Sequence, residues 1–332
     1  MQSSQTLGVK KKLFAHIETM RPYTILWCGL VSLVGACLAY GDLPPPHIAV
    51  LAFVIPVLGW IAGLYLADYH DRTLDAIQKR HRPIPSGRIS PNEALVVGSI
   101  FAFVGFALSF FLTLNNILLV FLVAFLVFLY VKISKARGIL GNINRGAVIV
   151  TAYLFGVFSI PAPLTTVPLY VWLLIIVFVL HDTSSNIIGA IRDIEGDRQG
   201  RYLTVPVKYG VKNSLLLSLF LSVLYILTII GIVWYYPFLQ HPYLFTAVFI
   251  LTILLLGIMY VFMFRTSHTM DRKKALLAHE FFIAERTILA SAFLIGIILE
   301  PLLSFSIGLL ALGVTLIIQA VIRDRYEFME RV

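Results

Sequence analysis

Carboxylates are scarce in this 332-residue chain, where 17 Asp and Glu stand against 26 Lys and Arg. Charge of either sign is rare as well, at 13% of residues, whereas a soluble globular domain carries about 25%. With 59% hydrophobic residues, the shortage excludes an ordinary soluble domain. The chain has only 2 cysteines, and the spacing of Cys28 and Cys37 puts them on opposite sides of one helix, so no disulfide framework is expected. Pro-, Gly- or Ser-rich linkers are missing between the hydrophobic segments, which predicts one membrane domain over residues 1–332. A long apolar core with a small-residue cleavage site is also missing from residues 1–20, so no cleaved signal peptide is expected.

What is present is a series of apolar runs near the ~20 residues needed to cross a bilayer. They cover residues 23–40, 48–66, 94–114, 117–131, 146–160, 168–190, 214–235, 244–264, 281–299 and 302–322. The expected fold is an all-α, polytopic transmembrane helical bundle. Basic residues test the count, because Lys and Arg in short loops stay on the cytoplasmic side. Of the 26, 25 fall before the first run, after every second run, or in the tail, Arg286 stands near the start of the ninth run, and the alternate connections have none. Both termini and the basic loops are therefore expected to be cytoplasmic. The net charge of +9 needs no nucleic-acid partner, since topology and anionic membrane lipids explain most of it.

The few acids are not spread evenly. Asp68, Asp71 and Asp75 follow the second run, and Asp193 and Asp197 follow the sixth. Asp71 and Asp75 are spaced so as to project from one side of a helix, as are Asp193 and Asp197, and each pair can share one hard cation. Two such pairs suggest a polyphosphate held between metals, which stabilise the departing charge of a diphosphate. Blandly, Asp68, Asp71 and Asp75 pair with Arg72, Lys79 and Arg80 on a wet loop. Further along, Arg82-Pro83-Ile84-Pro85-Ser86-Gly87 is a stiff basic loop suited to covering a phosphate, or a plain connection to a helix capped by Ser90. In the sixth run, Asp182, Asn186, Gly189, Asp193 and Asp197 predict a polar stripe toward the cytoplasm; hydrogen bonding to a neighbouring helix is the alternative. Tyr130 and Lys135 follow the fourth run, and Arg21 stands at the threshold of the first. His181 is expected to be a packing residue, and Glu280, Glu285 and Arg286 a local ion pair or loop anchor.

Taken together, Asp68-Tyr-His-Asp71-Arg-Thr-Leu-Asp75, Arg82-Pro-Ile-Pro-Ser-Gly87, Tyr130 to Lys135 and Asp193-Ile-Glu-Gly-Asp197 resemble, in order and spacing, the motifs of the UbiA superfamily of intramembrane prenyltransferases. The Glu-Gly-Asp-Arg tail and Thr204-Val-Pro-Val-Lys-Tyr-Gly210 look closer to the branch of homogentisate prenyltransferases, chlorophyll synthases and archaeal ether-lipid prenyltransferases. The resemblance implies nine to ten helices around a central cavity capped by cytoplasmic loops. It also implies an isoprenyl diphosphate whose head lies on Mg²⁺ and whose tail lies in apolar space. Ionisation would give an allylic cation that attacks a lipophilic, possibly aromatic acceptor. By the same resemblance the metal ligands are Asp71, Asp75, Asp193 and Asp197, with Asp68 substituting for a family Asn that is Ala67 here. Arg21, Arg72, Arg82 and Lys135 would compensate phosphate charge, with Tyr130 beside them, and Asp182 and Asn186 would orient the acceptor. A cyclase acting on the prenyl diphosphate without an acceptor is the second expectation. A transporter or lipid-binding bundle is the third, weakened by the crowding of acids at the cytoplasmic ends.

Overall fold

A computed structural model describes residues 8–323 and 326–327, without the side chains of Ile77 and Gln78. The start of the chain and the tail residues Arg325 and Arg331, used above for topology, lie outside the described residues. The described chain is built of helices. Helix α1 (Val9–Met20) precedes α2 (Pro22–Tyr40), α3 (Pro46–Gln78), α4 (Pro91–Ser109), α5 (Leu114–Leu129) and α6 (Ile139–Ser159). Then come α7 (Leu169–Arg192), the short α8 (Ile194–Gln199), α9 (Val205–Tyr235), α10 (Pro242–Thr266), α11 (Arg272–Ile297) and α12 (Pro301–Ile318). Proline sits in the first turn of α2, α3, α4, α9, α10 and α12, where its fixed φ suits a helix start and its missing N–H costs nothing.

Each expected apolar run corresponds to one long helix, but only 8 helices among the described residues are long and apolar enough to cross a membrane. The other two are α6 and α11. Both begin earlier than their apolar runs, at Ile139 and Arg272, because polar residues such as Asn142, Arg145, His279 and Arg286 are helical too and point into the bundle rather than ending the helix. The first acidic stretch likewise is not a loop. Asp68, Asp71 and Asp75 lie on the last turns of α3, which Pro83 and Pro85 prevent from running further.

Helix α2 is the most enclosed, packing against α3, α6, α11 and α12, while α7 packs against α6, α9 and α11. Helices α4 and α5 present Phe103, Phe121, Phe125 and Phe128 outward, as lipid-facing helices do. Between α2 and α6 the backbones nearly touch. A Cβ added at Gly156 would lie 1.7 Å from the Ser32 carbonyl oxygen, and one at Gly35 would lie 2.3 Å from that of Tyr153. Small residues allow such approach in membranes, where packing rather than water expulsion joins helices. Buried polar groups add cross-links. His181 is hydrogen-bonded through Nε2 to Glu285 at 2.9 Å, and Tyr225 donates to the same carboxylate at 3.1 Å. Ser184, Ser218, Ser222 and Tyr260 form a hydroxyl knot joining α7, α9 and α10, every link 3.2 Å or shorter. His181 is thus a packing residue as expected, whereas Glu285 pairs with it rather than with Arg286. Cys28 and Cys37 are both buried and free.

Gly156→Val must push α2 from α6 and is expected to cost about 1–3 kcal/mol or more, read as a lower melting temperature of the detergent-purified protein. Gly231→Ala, with nothing within 4 Å of the added Cβ, should leave it unchanged. Equal melting temperatures for the two variants would contradict this packing.

Candidate functional site

The end of α3 places its three acids against cations from different parts of the chain. Asp75 accepts from Arg82 Nη1 at 2.8 Å, and Asp68 lies 3.9 Å from the same nitrogen. Asp71 pairs with Lys135, which follows a π-helical turn over Tyr130–Ser134. That loop is pinned to the segment after α8 by the Leu203 N–H, which donates to the Ala136 carbonyl at 3.1 Å. Asp68 pairs with Arg21 and accepts from the Tyr326 hydroxyl at 3.0 Å.

The second acidic pair has a different build. Helix α7 stops at Arg192, and Asp193, with φ −101° and ψ 9°, turns the chain into α8, which carries Asp197. The expected polar stripe is therefore broken at Asp193 instead of running along one helix. Asp193 accepts from Arg192 at 2.6 Å and lies 3.1 Å from Lys79 Nζ, so Lys79 ties the end of α3 to the second motif. Asp197 accepts from Thr204 Oγ1 at 3.1 Å. Deeper in α7, the Asn186 and Asn142 amides are hydrogen-bonded at 2.8 Å.

These groups surround one cavity of about 530 Å³. Every residue proposed from the sequence lines it except Arg72 and Asp182. Arg72 folds back to the Tyr69 carbonyl at 2.6 Å and over the Tyr69 ring at 4.4 Å. Asp182 is held between α2 and α7, accepting from Trp27 Nε1 at 3.3 Å. Below the charged rim the wall is apolar, with Pro56, Gly63, Phe106, Leu119 and Val123.

Several contributors had no signal in the local sequence. Tyr326 lies between Arg21 and Arg82, whose guanidinium carbons are 4.6 and 4.5 Å from its ring centroid. Glu327 accepts from Arg272 at 2.7 Å and from Arg192 at 3.3 Å. Both come from the far end of the chain. Arg145 and Arg286 also line the cavity, and for Arg286 this replaces the expected ion pair or loop anchor. The one available clue was that Arg286 interrupts an apolar run.

Crowding of charge shifts the titration of the rim. Burial raises Asp197 to about 6, and the neighbouring Asp193 adds to the shift. Burial also opposes ionisation of Asp193, but Arg192 and Lys79 outweigh it and hold that carboxyl well below its usual range. Glu327 is held low in the same way by Arg192, Arg82 and Lys79. For Lys135, burial disfavours the charge and Asp71 more than restores it.

Among the described residues no three His, Cys, Asp or Glu side chains form a ready cage for a metal. Carboxylate pairs that leave most of the coordination sphere open are what Mg²⁺ accepts, since it binds through one or two carboxylates and completes its octahedron with phosphate oxygens and water. The donor set therefore fits Mg²⁺ held jointly with a phosphorylated ligand.

The profile of the UbiA prenyltransferase family matches residues 26–286. The digeranylgeranylglyceryl phosphate synthase of Pyrococcus horikoshii is 29% identical over 65% of this chain and 76% of its own length. Among solved structures, a UbiA homologue from Aeropyrum pernix superposes with a TM-score of 0.70 at 20% identity, covering 82% of this chain and 97% of the other. A UbiA homologue from Archaeoglobus fulgidus bound to GPP and Mg²⁺ gives 0.57 at 16% identity, covering 92% and 100%. These two likenesses are likenesses of fold. Tyr326 and Glu327 lie beyond the matched residues.

Glu327 is the anion between Arg192 and Arg272, so Glu327→Gln should lower stability by about 1–3 kcal/mol, measured as melting temperature. Inorganic diphosphate should recover part of the loss by supplying the missing negative charge to Arg192. A variant as stable as the parent, or one indifferent to diphosphate, would refute this.

Proposed function

Since the chain belongs to the UbiA prenyltransferase family, we propose that its cavity binds an isoprenyl diphosphate with the head at the charged rim and the chain along the apolar wall, and transfers the isoprenyl group to a lipophilic acceptor. The observation that carries this reading is the meeting of two carboxylate pairs and a set of cations at the mouth of one apolar cavity. Asp71, Asp75, Asp193 and Asp197 are the proposed Mg²⁺ ligands. Bound Mg²⁺ supplies neutralisation of the diphosphate as it leaves.

The protein's own residues do the rest. Lys135, Arg82, Lys79 and Arg192 hold the diphosphate oxygens, and in the ligand-free arrangement the same cations pair with Asp71, Asp75 and Asp193. Arg21 and Tyr326 fix Asp68, which stands beside Ala67. Breaking the C–O bond of the donor leaves an allylic cation, which the apolar wall shields from water, and the acceptor supplies the electron pair of the new bond while losing a proton. Relatives named for a glyceryl phosphate product point to an acceptor of that kind: a glycerol hydroxyl attached to a lipid chain. Cyclisation without an acceptor draws support only from Ala67.

In a multi-pass bundle, a rim formed by the ends of α3 and α7 is read as lying at one end of the membrane. We take that end as cytoplasmic from the basic loops, with the whole chain acting as one membrane domain.

Asp71→Ala and Asp193→Ala should each abolish Mg²⁺-dependent release of diphosphate from a prenyl diphosphate donor in membranes, with Arg72→Ala retaining activity because its side chain turns away from the cavity. Retained turnover in both aspartate variants would sink the two-metal scheme.

A further inference from the structure

The cavity has two unlike sides. Toward α3, α4 and α5 its wall at membrane depth is uncharged, formed by residues such as Gly59, Ala102, Phe106 and Val123. Toward α2, α6, α7 and α11 it carries two guanidinium groups, Arg145 and Arg286, with Asn142 and Asn186 beside them. By the rise of α7, Asn186 lies about 10 Å and Asp182 about 16 Å inward from Asp193. These arginines thus lie beneath the diphosphate rim and are separate from the cations already assigned to it.

Arg286 is 4% exposed, and its Nε and Nη2 have no hydrogen-bond partner. Its guanidinium is 5.7 Å from the centroid of the Trp27 ring, while that of Arg145 is 4.3 Å from the centroid of Trp60. Stacking on an indole holds a guanidinium by one face and leaves its N–H edge for a ligand. Two carboxylates lie at this depth and neither forms an ion pair with either arginine: Asp182 accepts from Trp27, and Glu285 is bonded to His181 and Tyr225. Arg286 is buried and Arg145 half-buried, and guanidinium N–H groups left without acceptors there are costly in hydrocarbon. An anion entering between them offsets that cost and satisfies the open N–H groups.

We infer that Arg145 and Arg286 form an anion subsite that takes the phosphate monoester of the acceptor, while the donor's isoprenyl chain occupies the uncharged side. The assignment rests on the transfer reading above and adds to it a requirement for a negatively charged acceptor. Arg286 acts as a binding residue: it orients the acceptor so that its nucleophilic hydroxyl faces the carbon released from diphosphate, and it takes no part in moving the proton.

Binding to the full chain in detergent, without donor or Mg²⁺, tests the subsite apart from activity. The probes are a long-chain alkylglycerol phosphate, the same alkylglycerol without phosphate, a diacyl phosphatidic acid and inorganic phosphate, followed by titration calorimetry. Arg286→Gln and Arg145→Gln should each weaken binding of the alkylglycerol phosphate by about 10- to 100-fold, as loss of a charged hydrogen bond does. Arg286→Lys should recover part of it, and binding of the phosphate-free alkylglycerol should not change. Should Arg286→Gln not fold, Arg145→Gln carries the same expectation.

Undiminished binding in the folded glutamine variants overturns the subsite. Tighter binding of phosphatidic acid or inorganic phosphate than of the alkylglycerol phosphate overturns its assignment to the acceptor. In turnover, Arg286→Gln should raise the KM for the phosphorylated acceptor and leave that for the prenyl diphosphate alone; a rise confined to the donor would place Arg286 in the donor's site instead. Intact probe binding with no transfer by the unaltered protein would count against the transfer reading and not against the anion subsite.

Discussion

A charge at membrane depth must find a partner, because hydrocarbon offers none. The rest of this structure follows from that constraint. The carboxylates at the end of α3 and around α8 are held by guanidinium and ammonium groups drawn from the turn between α1 and α2, the loops after α3 and α5, and the end of α7. No single helix supplies both signs in the amounts needed, so the charges join elements distant in sequence. The rim is at once the fastening of the bundle's end and, on the function proposed above, a lattice of groups that exchange protein partners for phosphate and metal.

The same constraint explains why α6 and α11 differ from the other long helices. A helix facing lipid is apolar beyond its first turn, as α4 and α5 largely are. One bordering a polar cavity can carry Asn142 and Arg145, or His279 and Arg286, provided those residues face inward. Their places are fixed by close contact elsewhere, above all the approach of α2 and α6 at Gly35 and Gly156. Polar function thus depends on small residues that have no chemistry of their own.

Much of the fold was legible from the sequence because hydrophobic runs and basic-loop periodicity report directly on spans and their alternation. The acidic motifs were legible because acids are so few. Less accessible were the true starts of α6 and α11, since a run of apolar residues marks where lipid contact begins and not where the backbone becomes helical. The break at Asp193 was hidden too: regular spacing between Asp182 and Asp197 is equally compatible with one helix or two. Tyr326 and Glu327 reach the rim only through tertiary folding, and nothing near them in sequence announces it. Arg286 sat in plain view inside an apolar run, but periodicity does not say which neighbour a helix face will meet.

Helix α3 is 33 residues long, or about 50 Å, against a hydrocarbon layer of about 30 Å. It carries Pro56 within its span and Asp68, Asp71 and Asp75 near its end, so one rod both traverses the bilayer and bears half of the rim's acids. Its apolar run, residues 48–66, spans about 28 Å and fits that layer, so the acidic turns project beyond it, and any change of tilt at the lipid-bound middle becomes a lateral displacement at the end. A bilayer that alters this tilt thereby alters the spacing between the two acidic motifs, which makes the surrounding lipid a component of the candidate site's geometry.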